Sequence, residues 1–155
     1  MDSTQTQTKT GQRTGNSSLD ILLVEDNPGD IRLTREALTE ADLEYSLDVF
    51  TNGENVLHYL SENVPQPYPD LVFLDLDLPG KDGDEILETM RDDSQLRNLP
   101  VIVLTSSESR EDIRRCYEAT ANAYVTKPTD HDRFITIMES IAQFWVEQAE
   151  LPPDP

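Results

Sequence analysis

The stretch LVFLDLDLPGKDG (Leu71–Gly83) joins an uninterrupted apolar run to three carboxylates and a Pro-Gly turn. Four consecutive apolar residues are typical of a strand that is buried on both faces of a sheet. Asp75 and Asp77 follow where this run ends, and Asp82 follows the turn. A buried strand that ends in carboxylates predicts either an ordinary acidic turn or a site that needs negative oxygen atoms on a rigid element.

The same pattern of a short apolar run followed by polar residues recurs along the chain. Five runs predict strands: ILLV (21–24), YSLDVF (45–50), LVFL (71–74), PVIVLT (100–105) and AYV (123–125). After each run, apolar residues recur at helical spacing. Strict alternation of strands and helices predicts a parallel sheet covered on both faces, and five units are too few for an eight-stranded barrel. We therefore predict an α/β, flavodoxin-like, doubly wound (βα)5 fold with strand order 2-1-3-4-5.

The domain boundaries follow from where the apolar pattern starts and stops. Residues 1–18 contain Ser, Thr, Gln, Asn and Gly but no large apolar residue after Met1, which predicts a disordered polar tail. Residues 19–149 are predicted to form one folded domain, and residues 150–155 a short C-terminal tail.

The charge balance limits the classes of partner. The chain has 31 acidic and 12 basic residues and a formal net charge of −19. Such a surface repels nucleic acid phosphates and anionic membranes, so neither is an expected partner. The low lysine content and the excess of Asp and Glu resemble proteins of salt-loving organisms. Cys116 is the only cysteine, and neither a signal peptide nor a membrane-spanning stretch is recognisable, which predicts a cytoplasmic protein.

Polar residues end or follow four of the five predicted strands, whose carboxyl ends meet at one edge of such a sheet. These residues are Glu25 and Asp26, Asp75, Thr105, and Lys127. Three crowded carboxylates repel one another unless a cation lies among them, and hard oxygen ligands suit Mg²⁺. A carboxylate beside a metal and a lysine can act as the nucleophile in phosphoryl transfer. We predict that Asp75 is that nucleophile and that Thr105 and Lys127 contact the phosphoryl group.

Each of these residues also has a simpler interpretation. Glu25 and Asp26 could belong to a turn or a helix cap, Thr105 could be a β-branched strand end, and Lys127 could be a surface lysine. Each simpler interpretation is the more common one for an isolated residue. Their joint position at strand ends favours a site.

The motifs ILLVEDN, LVFLDLDLPGKDG, PVIVLTSS and AYVTKP together resemble the receiver domain of bacterial and archaeal two-component response regulators, over residues 20–149. The resemblance implies that Asp75 accepts a phosphoryl group from a sensor histidine kinase. It also implies that Glu25, Asp26, Asp75 and the backbone carbonyl of Asp77 bind Mg²⁺. Glu25 stands where many members of the family have Asp.

Two regulatory roles are implied by the same resemblance. Thr105 and Tyr124 occupy the positions of the family's conformational switch. Asp77 and Ser107 occupy positions where the family tunes its dephosphorylation rate. A receiver catalyses only its own phosphorylation and dephosphorylation, so an enzyme with an external substrate is not expected.

A narrower similarity concerns three particular stretches of the domain. LVEDNPGD, LPGKDG and FITIMESIAQFWVEQAELPP are similar to small single-domain regulators that serve cyanobacterial-type phytochromes. This similarity implies a histidine kinase partner of phytochrome-like type and a homodimer formed through the last helix. Phe144, Trp145 and Leu151 could serve that dimer, or they could only close the core. Because 27 residues follow Pro128, the expected output is a contact with a downstream protein.

Two alternatives remain open at this point. Asp75 and Asp77 also resemble the Asp-x-Asp signature of haloacid-dehalogenase-type phosphatases, in which the first Asp is the nucleophile. Against this, Glu25 and Asp26 precede the signature, and little chain follows for the remaining motifs. The second alternative is a receiver-like interaction module that no longer accepts phosphate.

Overall fold

The computed structural model describes residues 6–9, 18–41, 44–61, 69–79 and 82–147. The described strands are β1 (Thr6–Lys9), β2 (Ser18–Val24), β3 (Glu44–Phe50), β4 (Leu71–Leu74), β5 (Val101–Thr105) and β6 (Ala123–Thr126). The described helices are α1 (Pro28–Glu40), α2 (Gly53–Ser61), α3 (Gly83–Asp92), α4 (Arg110–Glu118) and α5 (His131–Glu147). None of these helices has both the length and the apolar character needed to cross a bilayer.

The strands form one sheet in the order β1-β3-β2-β4-β5-β6. All neighbouring pairs from β2 to β6 are parallel. Counted among the five parallel strands alone, the order is 2-1-3-4-5. The predicted flavodoxin-like α/β fold is therefore confirmed.

The strand β1 differs from the sequence prediction, which placed residues 1–18 in a disordered tail. It pairs antiparallel with β3, so that Thr6 lies opposite Val49 and Lys9 lies opposite Ser46. The physical reason is that β3 would otherwise be an edge strand with unpaired N–H and C=O groups, which another extended segment can satisfy. Polar composition alone does not indicate that a segment can pair with the edge of a sheet.

Two apolar clusters cover the two faces of the sheet. One face packs against α1 and α5, through residues such as Leu38, Phe134 and Met138. The other face packs against α2, α3 and α4, through residues such as Leu87 and Cys116. All residues of β4 and β5 are buried, as the uninterrupted apolar runs predicted.

Local capping fixes where the helices near the carboxyl ends of the strands begin. Asn27 is the N-cap of α1, and its Oδ1 accepts the N–H of Asp30 at 3.1 Å. The backbone N–H of Asp82, the N-cap of α3, donates to Glu85 Oε1 at 3.3 Å. Asp82 therefore starts a helix. These caps direct the loops that carry the predicted site residues.

Candidate functional site

Backbone hydrogen bonds fix the residues that follow the strands at the carboxyl edge of the sheet. The N–H of Glu25 donates to Phe50 O at 2.9 Å, and the N–H of Asp75 donates to Val24 O at 3.0 Å. The N–H of Lys127 donates to Thr105 O at 2.7 Å. Sheet-like pairing thus continues one residue past the strands, so these side chains start from rigid backbone positions.

Three carboxylates meet at this edge, as the sequence predicted. Glu25, Asp26 and Asp75 each place one carboxylate oxygen within 4.8 Å of the others. Glu25 and Asp75 are buried, at 2 % and 6 % exposure, whereas Asp26 is exposed. An all-oxygen donor set that is open to water on one side fits a hard divalent cation. Asp77 lies beside the cluster, and its N–H donates to Asp75 Oδ1 at 3.4 Å.

The buried ammonium of Lys127 lies among three carboxylates. Its Nζ donates to Glu25 Oε1 and Asp30 Oδ2, both at 2.7 Å, and to Asp75 Oδ2 at 3.3 Å. The Lys127 side chain is only 7 % exposed, so these contacts are poorly screened by solvent. The simpler interpretation of Lys127 as a surface lysine is wrong.

Burial and charge act in opposite directions on this cluster. Burial raises the pKa of Glu25 to about 8, although the hydrogen bond from Lys127 opposes the shift. Burial alone would lower the pKa of Lys127, but hydrogen bonds to Asp30 and Glu25 outweigh it and raise that pKa above its usual range. Burial, followed by the charge of Asp75, raises the pKa of Asp77. The Lys127 ammonium therefore stays charged, and the buried Glu25 carboxylate depends on that ammonium for charge compensation.

The predicted switch residues are linked through one loop. Thr105 is fully buried, and its Oγ1 accepts the N–H of Ser107 at 3.4 Å. The Tyr124 hydroxyl donates to Ser107 O at 2.9 Å. Ser107 Oγ in turn donates to Asp112 Oδ2 on α4 at 2.7 Å. The structure therefore brings Thr105, Ser107 and Tyr124 together, while their regulatory roles stay predictions.

Two residues of the site were not predicted from the sequence. Asp30 contacts Lys127, but in the sequence it is an ordinary acidic residue in the first turn of a helix. Gly83 packs against the Asp75 loop, where a Cβ would lie 2.2 Å from Asp75 O. The only sequence signals were the motifs DNPGD and KDG, whose glycines and acids also suit plain turns.

The two aromatic residues near the end of α5 have different environments. Trp145 packs partly buried against the α1 and α5 cluster, whereas Phe144 is half exposed. Their rings contact edge to face, with centroids 5.8 Å apart. Leu151, the third residue of the predicted dimer surface, lies outside the described residues. Core closure therefore accounts for Trp145 but not for Phe144.

Comparison with known proteins identifies the family. Residues 21–139 match the response regulator receiver domain. This range lies inside the predicted domain, residues 19–149. Response regulator Rcp1 of Synechocystis sp. is 36 % identical over 135 residues, which cover 85 % of this chain and 92 % of that protein.

Two solved structures are also similar to this chain. The phosphorylated cyanobacterial phytochrome response regulator RcpA has a TM-score of 0.83 and 37 % identity, covering 88 % of this chain and 99 % of its own. The Mn²⁺-bound form of Rcp1 has a TM-score of 0.81 and 35 % identity, and the match covers 87 % of this chain and 99 % of the Rcp1 chain. These matches support the receiver interpretation over the phosphatase alternative. The chain belongs to the response regulator receiver domain family.

Proposed function

We propose that this receiver accepts a phosphoryl group on Asp75 from a sensor histidine kinase in a Mg²⁺-dependent reaction. The observation that carries the proposal is the buried carboxylate of Asp75 beside the Lys127 ammonium and two further carboxylates. A site made only for stability would not concentrate three acids around one buried cation, because the cost of burying charge is large.

The transfer assigns a role to each side chain. A carboxylate oxygen of Asp75 attacks phosphorus, a P–O bond forms, and the P–N bond of the phosphohistidine breaks as the imidazole leaves. Lys127 and the Thr105 hydroxyl interact with the phosphoryl oxygens and neutralise part of their charge. Mg²⁺, held by Glu25, Asp26, Asp75 and the carbonyl of Asp77, would supply further charge neutralisation.

Several observations support the remaining roles. The hydrogen bond from Tyr124 to Ser107 O joins β6 to the loop after Thr105, which supports a switch through Thr105 and Tyr124. The contact of the Asp77 N–H with Asp75 Oδ1 and the position of Ser107 in that loop support tuning of dephosphorylation by Asp77 and Ser107. We propose that the output is a contact with a downstream protein on the face of α4, β6 and α5. A phytochrome-like kinase is supported by the phytochrome response regulator among the similar structures. Such a partner would meet the chain in the cytoplasm.

A homodimer through α5 is supported by the exposed ring of Phe144. Light scattering with and without beryllofluoride and Mg²⁺ tests this part of the proposal. An unchanged mass in both conditions would count against dimerisation without affecting the assignment of Asp75.

Phosphorylation by acetyl phosphate with Mg²⁺ tests the central proposal. Asp75→Asn should abolish labelling, because the amide lacks the nucleophilic carboxylate. Asp82→Asn is a matched control, since it removes a carboxylate near the same turn and Asn still caps α3. Full labelling of Asp75→Asn would refute the assignment. Absence of labelling in the unmodified chain would favour the interaction module, and repeated hydrolysis of phosphoesters would favour the phosphatase.

A further inference from the structure

The ammonium of Lys127 is shared unequally among its three carboxylates. Two contacts, to Glu25 and to Asp30, are 2.7 Å long, and the contact to Asp75 is the longest at 3.3 Å. An ammonium has three N–H donors, and three carboxylate oxygens already occupy them. A phosphoryl group on Asp75 can therefore gain a hydrogen bond from Lys127 only if the ammonium gives up or weakens a present contact.

The backbone of Asp30 is held in place by hydrogen bonds that do not involve Lys127. It lies in the first turn of α1, and its N–H donates to the N-cap side chain of Asn27. Its carbonyl oxygen accepts the Thr34 hydroxyl at 2.9 Å. The carboxylate of Asp30 does not belong to the cluster formed by Glu25, Asp26 and Asp75. The contact between Asp30 and Lys127 is thus a salt bridge that connects α1 to the loop after β6.

The exposure of the partners indicates which contact yields first. The Glu25 side chain is 2 % exposed, so without the Lys127 ammonium its negative charge would be buried and uncompensated. The Asp30 side chain is 23 % exposed. Water can solvate a released Asp30 carboxylate far better than a released Glu25 carboxylate. A phosphoryl group has strong acceptor oxygens and additional negative charge. It therefore replaces the Asp30 contact of the Lys127 ammonium more easily than the Glu25 contact.

We propose that Asp30 is a positioning residue that competes with Asp75 for the Lys127 ammonium, which it holds by the shorter contact, and that it releases the ammonium when Asp75 is phosphorylated. The inference deepens the function proposed above and rests on it. Asp30 thereby opposes the phosphorylated state, since its carboxylate competes with the phosphoryl oxygens for the same donor. An Asp30 that served only the first turn of α1 would affect stability without affecting Lys127.

The first test measures the reactivity of Lys127 without metal. The sequence contains three lysines, Lys9, Lys81 and Lys127, so amine acetylation can be assigned to each by peptide mass spectrometry. Asp30→Asn should raise the labelling rate of Lys127 relative to Lys9 about three- to tenfold, as expected for loss of one partly buried ion pair. Asp30→Glu, which keeps the charge, should restore a ratio close to the original.

The second test measures beryllofluoride binding with Mg²⁺ by calorimetry. Asp30→Asn should bind beryllofluoride about three- to tenfold more tightly, because the ammonium is no longer held by α1. The matched control is Asp132→Asn, which removes an exposed first-turn acid from α5 and leaves the contacts of Lys127 intact. Thermal unfolding of each variant verifies that the compared proteins are folded.

The outcomes separate this inference from the proposed function. If the unmodified chain does not bind beryllofluoride with Mg²⁺, the proposed function fails, while the lysine labelling still reports whether Asp30 holds Lys127. If the unmodified chain binds but Asp30→Asn behaves like Asp132→Asn in both tests, Asp30 has only a structural role. Unchanged or weaker beryllofluoride binding by Asp30→Asn alone also overturns the inference.

Discussion

Each end of the parallel strands holds one cation among several oxygen acceptors, but the acceptors differ in kind. At the carboxyl end, Lys127 contacts three carboxylates. At the amino end, Arg91 of α3 donates to neutral acceptors at 2.8–3.3 Å. These acceptors are the carbonyl oxygens of Arg97, Leu99 and Thr120 and the side-chain oxygen of Asn122.

This difference separates a responsive end from a fixed end. The partners of Lys127 can change their charge through protonation, metal binding or phosphorylation, so its contacts can be redistributed. The carbonyl partners of Arg91 cannot change their charge. Burial lowers the pKa of Arg91, but a guanidinium stays protonated in proteins. Arg91 therefore joins the loops before β5 and β6 to α3 through acceptors whose charge is fixed.

Arg91→Ala should have the largest effect on stability. It leaves the part-buried carbonyl of Leu99 and the more exposed carbonyls of Arg97 and Thr120 without their charged donor, and we expect a loss of about 3 kcal/mol in the free energy of unfolding. Urea denaturation measures this loss, and acetyl phosphate labelling of Asp75 in the folded variant should stay unchanged. Arg114→Ala is the control, since exposed Arg114 pairs with Glu111 and Glu118 on the same helix. Equal losses in both variants would contradict the special role of Arg91.

Cys116 provides a chemical probe of the fixed end. Burial, followed by the charges of Asp84 and Asp112, raises the pKa of the Cys116 thiol from 9.0 to about 11. At pH 8 the folded chain then has roughly 100-fold less thiolate than a chain with the ordinary value. We expect slow reaction with a disulfide reagent, with a rate that rises about tenfold per pH unit up to pH 10.

The thiol also separates the two ends of the molecule. Arg91→Ala should accelerate the reaction of Cys116, because the carbonyl of Cys116 accepts the N–H of Ala121 in the turn that Arg91 holds. Asp75→Asn should leave the rate unchanged. Fast reaction of Cys116 in the unmodified chain at pH 8 would contradict this prediction, because it would show that α4 opens even when Arg91 is present.

Gly83→Ala should affect both stability and chemistry, because Gly83 contacts the backbone of Asp75, the proposed phosphoacceptor. An added Cβ would lie 2.2 Å from Asp75 O, so the loop must move. We expect a loss of about 2 kcal/mol and labelling of Asp75 slower by about tenfold. Gly29→Ala is the matched control, because its Cβ would meet only the Asn27 side chain at 3.2 Å. Normal labelling of Gly83→Ala would show that the Asp75 loop tolerates the shift.

The fold and the centre of the site could be predicted from the sequence for one physical reason. Uninterrupted apolar runs specify buried parallel strands, and parallel strands bring their carboxyl ends together. Glu25 and Asp75 directly follow such runs, Thr105 ends one, and Lys127 lies two residues beyond another, so the topology predicts that they meet at one edge of the sheet. In the structure Lys127 contacts Glu25 and Asp75 through its side chain and Thr105 through its backbone N–H, while the roles of these residues stay predictions.

Residues whose contacts depend on the packing of helices and loops could not be predicted in this way. Asp30 reaches Lys127 because α1 begins beside the loop after β6, and no periodicity encodes that distance. Arg91 has an ordinary position near the end of a helix, yet its acceptors lie in two separate loops. The pairing of β1 with β3 likewise depends on an edge that exists only in the folded sheet.

Thr120 gives the smallest expected effect and concerns the turn that Arg91 holds. Its φ of 61° is in the left-handed region, which costs an L-residue with a Cβ roughly 1–2 kcal/mol. The N–H of Ala121 donates to Cys116 O at 2.9 Å, and the N–H of Thr120 donates to Tyr117 O at 3.0 Å. These two bonds form a helix C-terminal motif in which glycine is the preferred residue at this position.

Thr120→Gly should therefore raise the free energy of unfolding by about 0.5–1 kcal/mol, after allowance for the greater flexibility of glycine in the unfolded chain. Thr89→Gly, at an exposed position inside α3, is the control and should lower it. Urea denaturation measures both changes. The gain at Thr120 should shrink in an Arg91→Ala background, because the turn can relax once the guanidinium no longer holds its carbonyl. An equal gain in both backgrounds would mean that Arg91 does not maintain the strained turn.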